Sequence, residues 1–114
     1  SAENQRWAEI RIPLLLGVPA AVHFLSCEPL LSGLDLSRWL GKDSTSSWCI
    51  VGGESGPKAR PMRLNWLMSI VAQCRKAGVA CFVKQDSGLY PGRQGRIPDD
   101  IWAVKEFPEV QEEL

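Results

Sequence analysis

Three short apolar runs of the chain each end in a residue that can do chemistry. Glu28 follows the first run, Glu54 the second and Lys84 the third. Helix-like stretches lie between the runs, as they do in parallel α/β proteins, which place their sites at the carboxyl ends of neighbouring strands. The repeated pattern predicts one site at one edge of a sheet, but it does not name the reaction.

The most distinctive of these ends is Gly52-Gly53-Glu54-Ser55-Gly56. Paired glycines allow a tight turn and let a ligand approach the backbone N–H groups. A glutamate held there can accept a hydrogen bond from a substrate amine or hydroxyl, and it can act as a base if its pKa is raised. The alternative is a glycine turn with an exposed glutamate. Neither a phosphate-binding Walker loop nor a dinucleotide fingerprint is present in the sequence.

The other two ends offer a pair of opposite charges. A carboxylate directly after a buried strand is costly unless it is paired or faces a cavity, so Lys84 is the natural partner of Glu28. A structural ion pair and a catalytic or anion-binding role both remain open. Gln85 can donate and accept at once, and Asp86 is expected to form a turn with the residues that follow it.

Basic loop residues on the same predicted side can bind an anion, bidentately where the geometry allows. Solvated surface charge is the competing interpretation for each of them. The anion-binding candidates are Arg60, Arg63 and Arg96.

The sequence shows no metal site and no Ser-His-Asp set. The single histidine, His23, lies early in a predicted strand, away from the strand ends. The cysteines include no closely spaced pair, so buried free thiols are expected rather than a metal cluster. They are Cys27, Cys49, Cys74 and Cys81.

The elements that must position these residues follow from the apolar pattern. Strands are predicted over 21–27, 48–51 and 79–83, with a short helix over 35–40. A longer helix begins at an Asn65 cap and ends at Gly78, with an apolar stripe at i, i+3, i+4 and i+7. Strands joined by helices predict right-handed crossovers and a parallel sheet whose two faces are both covered.

The fold class is therefore α/β, with three parallel strands and crossover helices. Such a sheet has two open edges, which suggests the last part of a βα (TIM-like) barrel. Residues 1–107 are expected to form a single α/β unit, as a piece of a larger barrel, and 108–114 an acidic tail. The formal net charge of zero gives no global attraction to nucleic acid. No signal peptide or membrane-spanning run is evident, so the cytoplasm is expected.

Several motifs together resemble one family, the uncharacterised phage proteins named after gene products thirty-seven and sixty-eight. The resemblance covers nearly the whole chain, and the motifs are specific as a set although each alone is weak. They are Ser1-Ala2-Glu3-Asn4-Gln5, Arg11-Ile12-Pro13-Leu14-Leu15-Leu16, Ser26-Cys27-Glu28-Pro29-Leu30, Val51-Gly52-Gly53-Glu54-Ser55-Gly56, Arg60-Pro61-Met62, Lys84-Gln85-Asp86-Ser87-Gly88 and Gln94-Gly95-Arg96-Ile97-Pro98-Asp99-Asp100.

The resemblance implies a radical-SAM-like enzyme of phages and bacteria, with a four-iron four-sulfur cluster and S-adenosylmethionine in the complete protein. The family's three-cysteine motif is missing from this chain, so the resemblance implies a carboxyl-terminal fragment that is inactive alone. Its expected partner is the amino-terminal half of the barrel, in the cytoplasm of a bacterial host cell. The substrate- or cofactor-side residues that the resemblance implies are Glu3, Ser26, Glu28, Gly52, Gly53, Glu54, Lys84 and Gln85.

The competing hypothesis is a stand-alone α/β module that binds an anionic ligand or nucleic acid through its arginines and lysines. The two hypotheses differ in what the strand ends do. In the first they hold polar groups of a substrate or cofactor, and in the second they hold an anion. The sequence does not identify a substrate, which is a small molecule or a nucleic acid, and no contact with a membrane is expected.

Overall fold

A computed structural model describes residues 4–6, 8–9, 23–40 and 46–108. The regular elements are the strands β1, β2 and β3 and the helices α1 and α2. Their bounds are His23–Cys27 for β1, Ser46–Gly52 for β2, Leu64–Ala77 for α1, Ala80–Gln85 for β3 and Asp99–Trp102 for α2. None of the helices among these residues is long and apolar enough to cross a membrane.

The three strands form one parallel sheet in the order β1-β2-β3. Cys27 lies opposite Val51, which in turn lies opposite Val83. The predicted parallel pairing is therefore confirmed, and all three carboxyl ends point to the same edge of the sheet. The partial barrel remains a prediction.

Helix α1 covers one face of this sheet and contacts β2 and β3. Its predicted stripe is buried in full, because i, i+3, i+4 and i+7 positions share one side of a helix. The buried stripe residues are Leu67, Ile70, Val71 and Cys74. Gly78 ends the helix in the left-handed conformation, with φ at 71°, as expected. The predicted Asn65 cap is wrong, because the helix already begins at Leu64 and Arg63 occupies the cap position.

The opposite face of the sheet is only partly buried in the described part of the chain. We call it the open face, formed by Phe24, Ser26, Trp48, Ile50, Phe82 and Lys84. Burial along β3 alternates residue by residue, with the odd positions turned towards α1. The prediction that both faces are covered is therefore wrong for the described residues, since α1 lies on one side only.

The segment after β1 is a turn rather than the short helix predicted over 35–40. The Asp35 carboxylate accepts hydrogen bonds from the N–H and the hydroxyl of Ser37, at 3.0 and 2.6 Å. These bonds are of the type that an N-cap makes, but only a single turn at 37–39 follows them and no helix. The apolar residues of this segment serve the core instead, with Leu36 fully buried.

The outer edge of β3 is covered by a short antiparallel segment at 104–106. The Val83 N–H donates to the Val104 carbonyl and the Glu106 N–H to the Cys81 carbonyl, each at 2.9 Å. This pairing satisfies backbone groups that an exposed edge would leave open. The expectation of two open edges is therefore wrong for β3.

Candidate functional site

Lys84 and Glu28 meet across the carboxyl end of the sheet. The Lys84 Nζ lies 3.1 Å from both carboxylate oxygens of Glu28. Because β2 lies between the strands that carry them, the lysine side chain must cross β2 to reach the glutamate. The Lys84 side chain is 47% exposed and that of Glu28 24%, so the pair is accessible from solvent.

Gly52 lies on β2 beside the Lys84 side chain. A Cβ atom at this position would lie 3.4 Å from the Lys84 Cβ and 3.3 Å from the Gln85 Cγ. A larger side chain would compete with the lysine stem for this space. The glycine therefore has a structural use at the site, which is separate from the ligand contact that the sequence suggested.

Gly53 is required by packing rather than by a positive φ. A Cβ atom here would lie 2.4 Å from the Ser87 backbone nitrogen, closer than real contacts allow. The Gly53 N–H donates to the Gln85 carbonyl at 3.0 Å, and the Gly53 carbonyl accepts from Gln85 Nε2 at 2.7 Å. Both backbone groups of Gly53 are thus bonded within the protein, which competes with the predicted role in ligand binding.

The Gln85 side chain joins three segments at the strand ends. It is 1% exposed, and its Nε2 donates to Glu28 Oε1 at 3.2 Å as well as to Gly53. Its Oε1 accepts from the Gly92 N–H at 2.9 Å. A buried amide with both ends bonded is held in one orientation. Gln85 therefore fixes one oxygen of Glu28 relative to the loops.

Glu54 does not join the Glu28–Lys84 pair. Its carboxylate accepts from the Arg60 side chain, at 3.0 Å from Nε and 2.6 Å from Nη2, and from the Arg60 N–H at 2.9 Å. These hydrogen bonds lower the pKa of Glu54 to about 2. A base with a raised pKa was one reading of the sequence, and that reading is wrong because Arg60 stabilises the ionised form.

The second predicted anion-binding arginine, Arg96, is also engaged by a carboxylate. Its Nε and Nη2 donate to the Asp86 carboxylate at 3.0 and 2.9 Å, and Nη2 also donates to the Met62 carbonyl. Arg63 lies with its guanidinium carbon 5.9 Å from the centre of the Trp66 ring. The three arginines thus point to separate partners and do not converge on one site in the described structure.

The Asp86–Arg96 ion pair is a structural contact beside the site that the sequence did not reveal. The sequence predicts a turn of Asp86 with Ser87 and Gly88 and gives no sign of burial, but Asp86 is only 3% exposed. Burial raises its pKa, while hydrogen bonds from Arg96 and from the Ser87 N–H lower it by more, so the net shift is downward. Only the ten-residue separation from Arg96 connects the two in sequence, and that spacing is not a recognisable signal.

The pair lies at one end of a cavity of about 380 Å3 on the open face. Phe107 closes it from the side, with its ring centre 5.6 Å from those of Trp48 and Phe82. The cavity is thus polar at the carboxyl ends of the strands and aromatic below them. It is lined by Ser26, Glu28, Trp48, Ile50, Phe82, Lys84 and Phe107. Glu54 lines a different hollow, with residues 55–58.

All four cysteines are free and buried, as predicted. They lie among the core residues on the α1 side of the sheet, away from the open face. Contacts with Cys27 and Cys74, together with burial, raise the pKa of Cys49. No group of three or more potential metal ligands occurs among the described residues. Glu3, the remaining candidate, lies outside the described part of the chain.

Residues 1–103 match the sequence profile of DUF5131, a family described as proteins of unknown function. The chain belongs to this family. No curated protein and no solved structure matches it. The expected membership of an uncharacterised family is thus confirmed over nearly the whole chain. The phage origin, the link to gene products thirty-seven and sixty-eight and the radical-SAM-like character stay predictions.

Proposed function

We propose that this chain forms the substrate-side wall of a βα-barrel enzyme of the radical-SAM-like type. In this proposal the open face lines the barrel interior, and Glu28 and Lys84 bind polar groups of the substrate at its mouth. The support is the parallel sheet, the one helix that covers it among the described residues and the position of the charged pair at the carboxyl ends. Barrel enzymes carry their sites at this end.

One observation carries the proposal, namely the change in polarity along the open face. The row nearest the amino ends pairs Phe24 with Trp48, and the row above it pairs Ser26 with Ile50. The last row holds Glu28 and Lys84. A barrel interior is packed with apolar side chains, and its reactive groups lie at the carboxyl ends of the strands. An outer helix layer on this face would instead bury the ion pair at a cost in desolvation.

The chemistry available to these side chains is binding and orientation. Two Lys84 N–H donors meet the Glu28 oxygens, which leaves a third donor for a substrate acceptor. Gln85 donates to Glu28 Oε1 at 3.2 Å, one of the two oxygens that Lys84 contacts. A substrate that reaches the pair therefore meets groups already fixed in place, which reduces the entropy lost on binding.

The resemblance implies a four-iron four-sulfur cluster and S-adenosylmethionine in the complete protein. The cysteines of this chain do not fit the cluster, because all four are buried in the core beneath α1. Cluster ligands must reach the metal from the site itself. In the proposal the redox chemistry therefore belongs to residues outside this chain, and the chain alone is inactive.

The alternative, a stand-alone module for an anion or a nucleic acid, has less support. It depends on available arginines, but Arg60 and Arg96 are both paired with carboxylates. Lys84 is paired as well. An anion would have to displace Glu54, Asp86 or Glu28 from its partner.

The test compares Lys84→Met with Lys76→Met in the complete protein. Methionine keeps most of the lysine stem but removes its donors. Lys76 is an exposed lysine in the last turn of α1, at the amino end of β3 and thus at the end of the sheet opposite the charged pair. We expect both variants to retain iron and S-adenosylmethionine as the wild type does. Only Lys84→Met should lose consumption of substrate, by about tenfold or more.

The substrate can be followed without being known in advance. Wild-type protein is incubated with a small-molecule extract of host cells, and mass spectrometry identifies the ions that it depletes. Equal depletion by Lys84→Met and Lys76→Met would exclude Lys84 as a binding residue. A complete protein that holds no iron would remove the radical-SAM-like part of the proposal.

A further inference from the structure

The aromatic part of the cavity on the open face has no assigned use. The Trp48 ring is fixed at its edge, because its Nε1 donates to the Glu106 carbonyl at 2.9 Å. The ring of Phe107 is 5.6 Å away and that residue is 68% exposed. These rings form a wall that a second flat ring can contact. Nucleic-acid-binding proteins use such aromatic walls to stack bases.

The polar end of the cavity is electrically neutral. Lys84 and Glu28 cancel each other, and an anionic ligand would have to compete with Glu28 for the ammonium group. The Ser26 hydroxyl also lines this end and can both donate and accept. The site therefore favours an uncharged group whose edge carries donors and acceptors side by side.

We propose that this cavity binds an uncharged heteroaromatic ring of the nucleobase type. The ring lies against Trp48 and Phe107, and its hydrogen-bonding edge meets Ser26, Glu28 and Lys84. The volume of about 380 Å3 lies within the usual range for small-molecule sites. This inference deepens the proposed function by naming a substrate class, and it rests on that function only for the use of the same cavity.

The test is a calorimetric titration of the complete protein with adenosine, guanosine, cytidine and uridine. Indole serves as a ring with little hydrogen-bonding edge, and benzoate serves as a ring with a negative charge. We expect at least one nucleoside to bind about tenfold more tightly than indole or benzoate. In NMR spectra the indole N–H signal of Trp48 should shift on titration with that nucleoside.

One variant, compared with a matched control, separates the polar edge from the aromatic wall. Lys84→Met should weaken nucleoside binding by about tenfold and leave indole binding unchanged. Lys76→Met, the matched control, should change neither. Both variants are checked for folding by circular dichroism, and the Trp48 signal of the wild type gives a readout that needs no substitution.

Three results would overturn the inference. They are tighter binding of benzoate than of any nucleoside, equal loss of indole and nucleoside binding in Lys84→Met, and no nucleoside binding at about 1 mM. Failure of the proposed function shows itself differently, as a complete protein without iron or without substrate consumption. If such a protein still bound a nucleoside, the inference about the cavity would be supported although the proposed function had failed.

Discussion

Gly53 is the residue at which the strand ends and the following loops approach most closely. Its missing side chain lets the backbone of Ser87 pass, and its N–H and carbonyl bond to Gln85. Gln85 in turn holds Glu28. Single residues without charge thus set the position of the charged pair.

Gly53→Ala should destabilise the protein by about 2–4 kcal/mol, because the new methyl group would lie 2.7 Å from the Ser87 Cα, a backbone atom that cannot move freely. Gly88→Ala is the matched control, since nothing lies within 4 Å of its Cβ position. Urea unfolding measures both. Equal midpoints for the two variants would contradict the close approach at Gly53.

The Asp86–Arg96 pair should stabilise the fold in a pH-dependent way. Asp86→Asn should cost about 2–3 kcal/mol, since it removes charge-assisted bonds from a buried carboxylate while Arg96 stays half exposed. Asp100→Asn, at an exposed position of α2, should cost little.

The pH dependence of this pair has a definite sign. Because the folded-state pKa of Asp86 lies below its ordinary value of 3.8, the stabilisation is full above that value. It is lost as the pH falls through the lower folded-state pKa. Urea unfolding from about pH 3 to pH 7 measures the free energy of unfolding of both proteins. The value for the wild type should therefore fall towards that of Asp86→Asn only in acid. If the difference in free energy of unfolding between the two proteins grew in acid, the lowered pKa of Asp86 would be contradicted.

At the scale of elements, α1 and the sheet form the core that carries the site. The stripe residue Ile70 is fully buried, whereas Met68, two positions earlier, is 48% exposed. This contrast arises from the 3.6-residue period of the helix. The position of β2 and β3, and with it that of Gly52 and Lys84, depends on this contact.

Ile70→Ala should cost about 2–5 kcal/mol, because it removes buried methyl groups and leaves a cavity beneath the sheet. Met68→Ala should cost no more than about 0.5 kcal/mol, since its side chain lies on the exposed side. Both free energies of unfolding come from urea denaturation. A larger loss in Met68→Ala would show that α1 is rotated relative to the sheet.

The elements that the sequence predicted well are those set by burial. The stripe of α1 and the three parallel strands follow from apolar periodicity, and both are confirmed. The helix predicted over 35–40 is wrong: Asp35 bonds to Ser37 as a cap would, but only a turn at 37–39 follows. The partners of Glu54 and Asp86 were missed because long-range or loop pairing leaves no periodic signal.

At the scale of the whole molecule, the open face exposes aromatic side chains to solvent. Phe24 is 45% exposed and Phe107 is 68% exposed, and both belong to a chain of aromatic rings that includes Trp48. Exposed aromatic patches mark surfaces that other groups cover. The proposed barrel would cover this face with its remaining strands.

Without those strands, the isolated chain should associate through the open face. Sedimentation velocity should show a concentration-dependent increase in mass, and Phe24→Ser with Phe107→Ser should reduce it. Met68→Ser with Leu89→Ser is the matched control, since both residues are exposed apolar side chains elsewhere. An isolated wild-type chain that stays monomeric, or equal dissociation by the control pair, would contradict this use of the open face.

The most direct test of the central claim is a crystal structure of the complete protein. We predict that the open face lines a barrel interior, with Glu28 and Lys84 facing the cavity that also holds the bound cofactor. A structure in which an outer helix layer covers the open face, or in which the pair faces solvent away from any cavity, would contradict the claim.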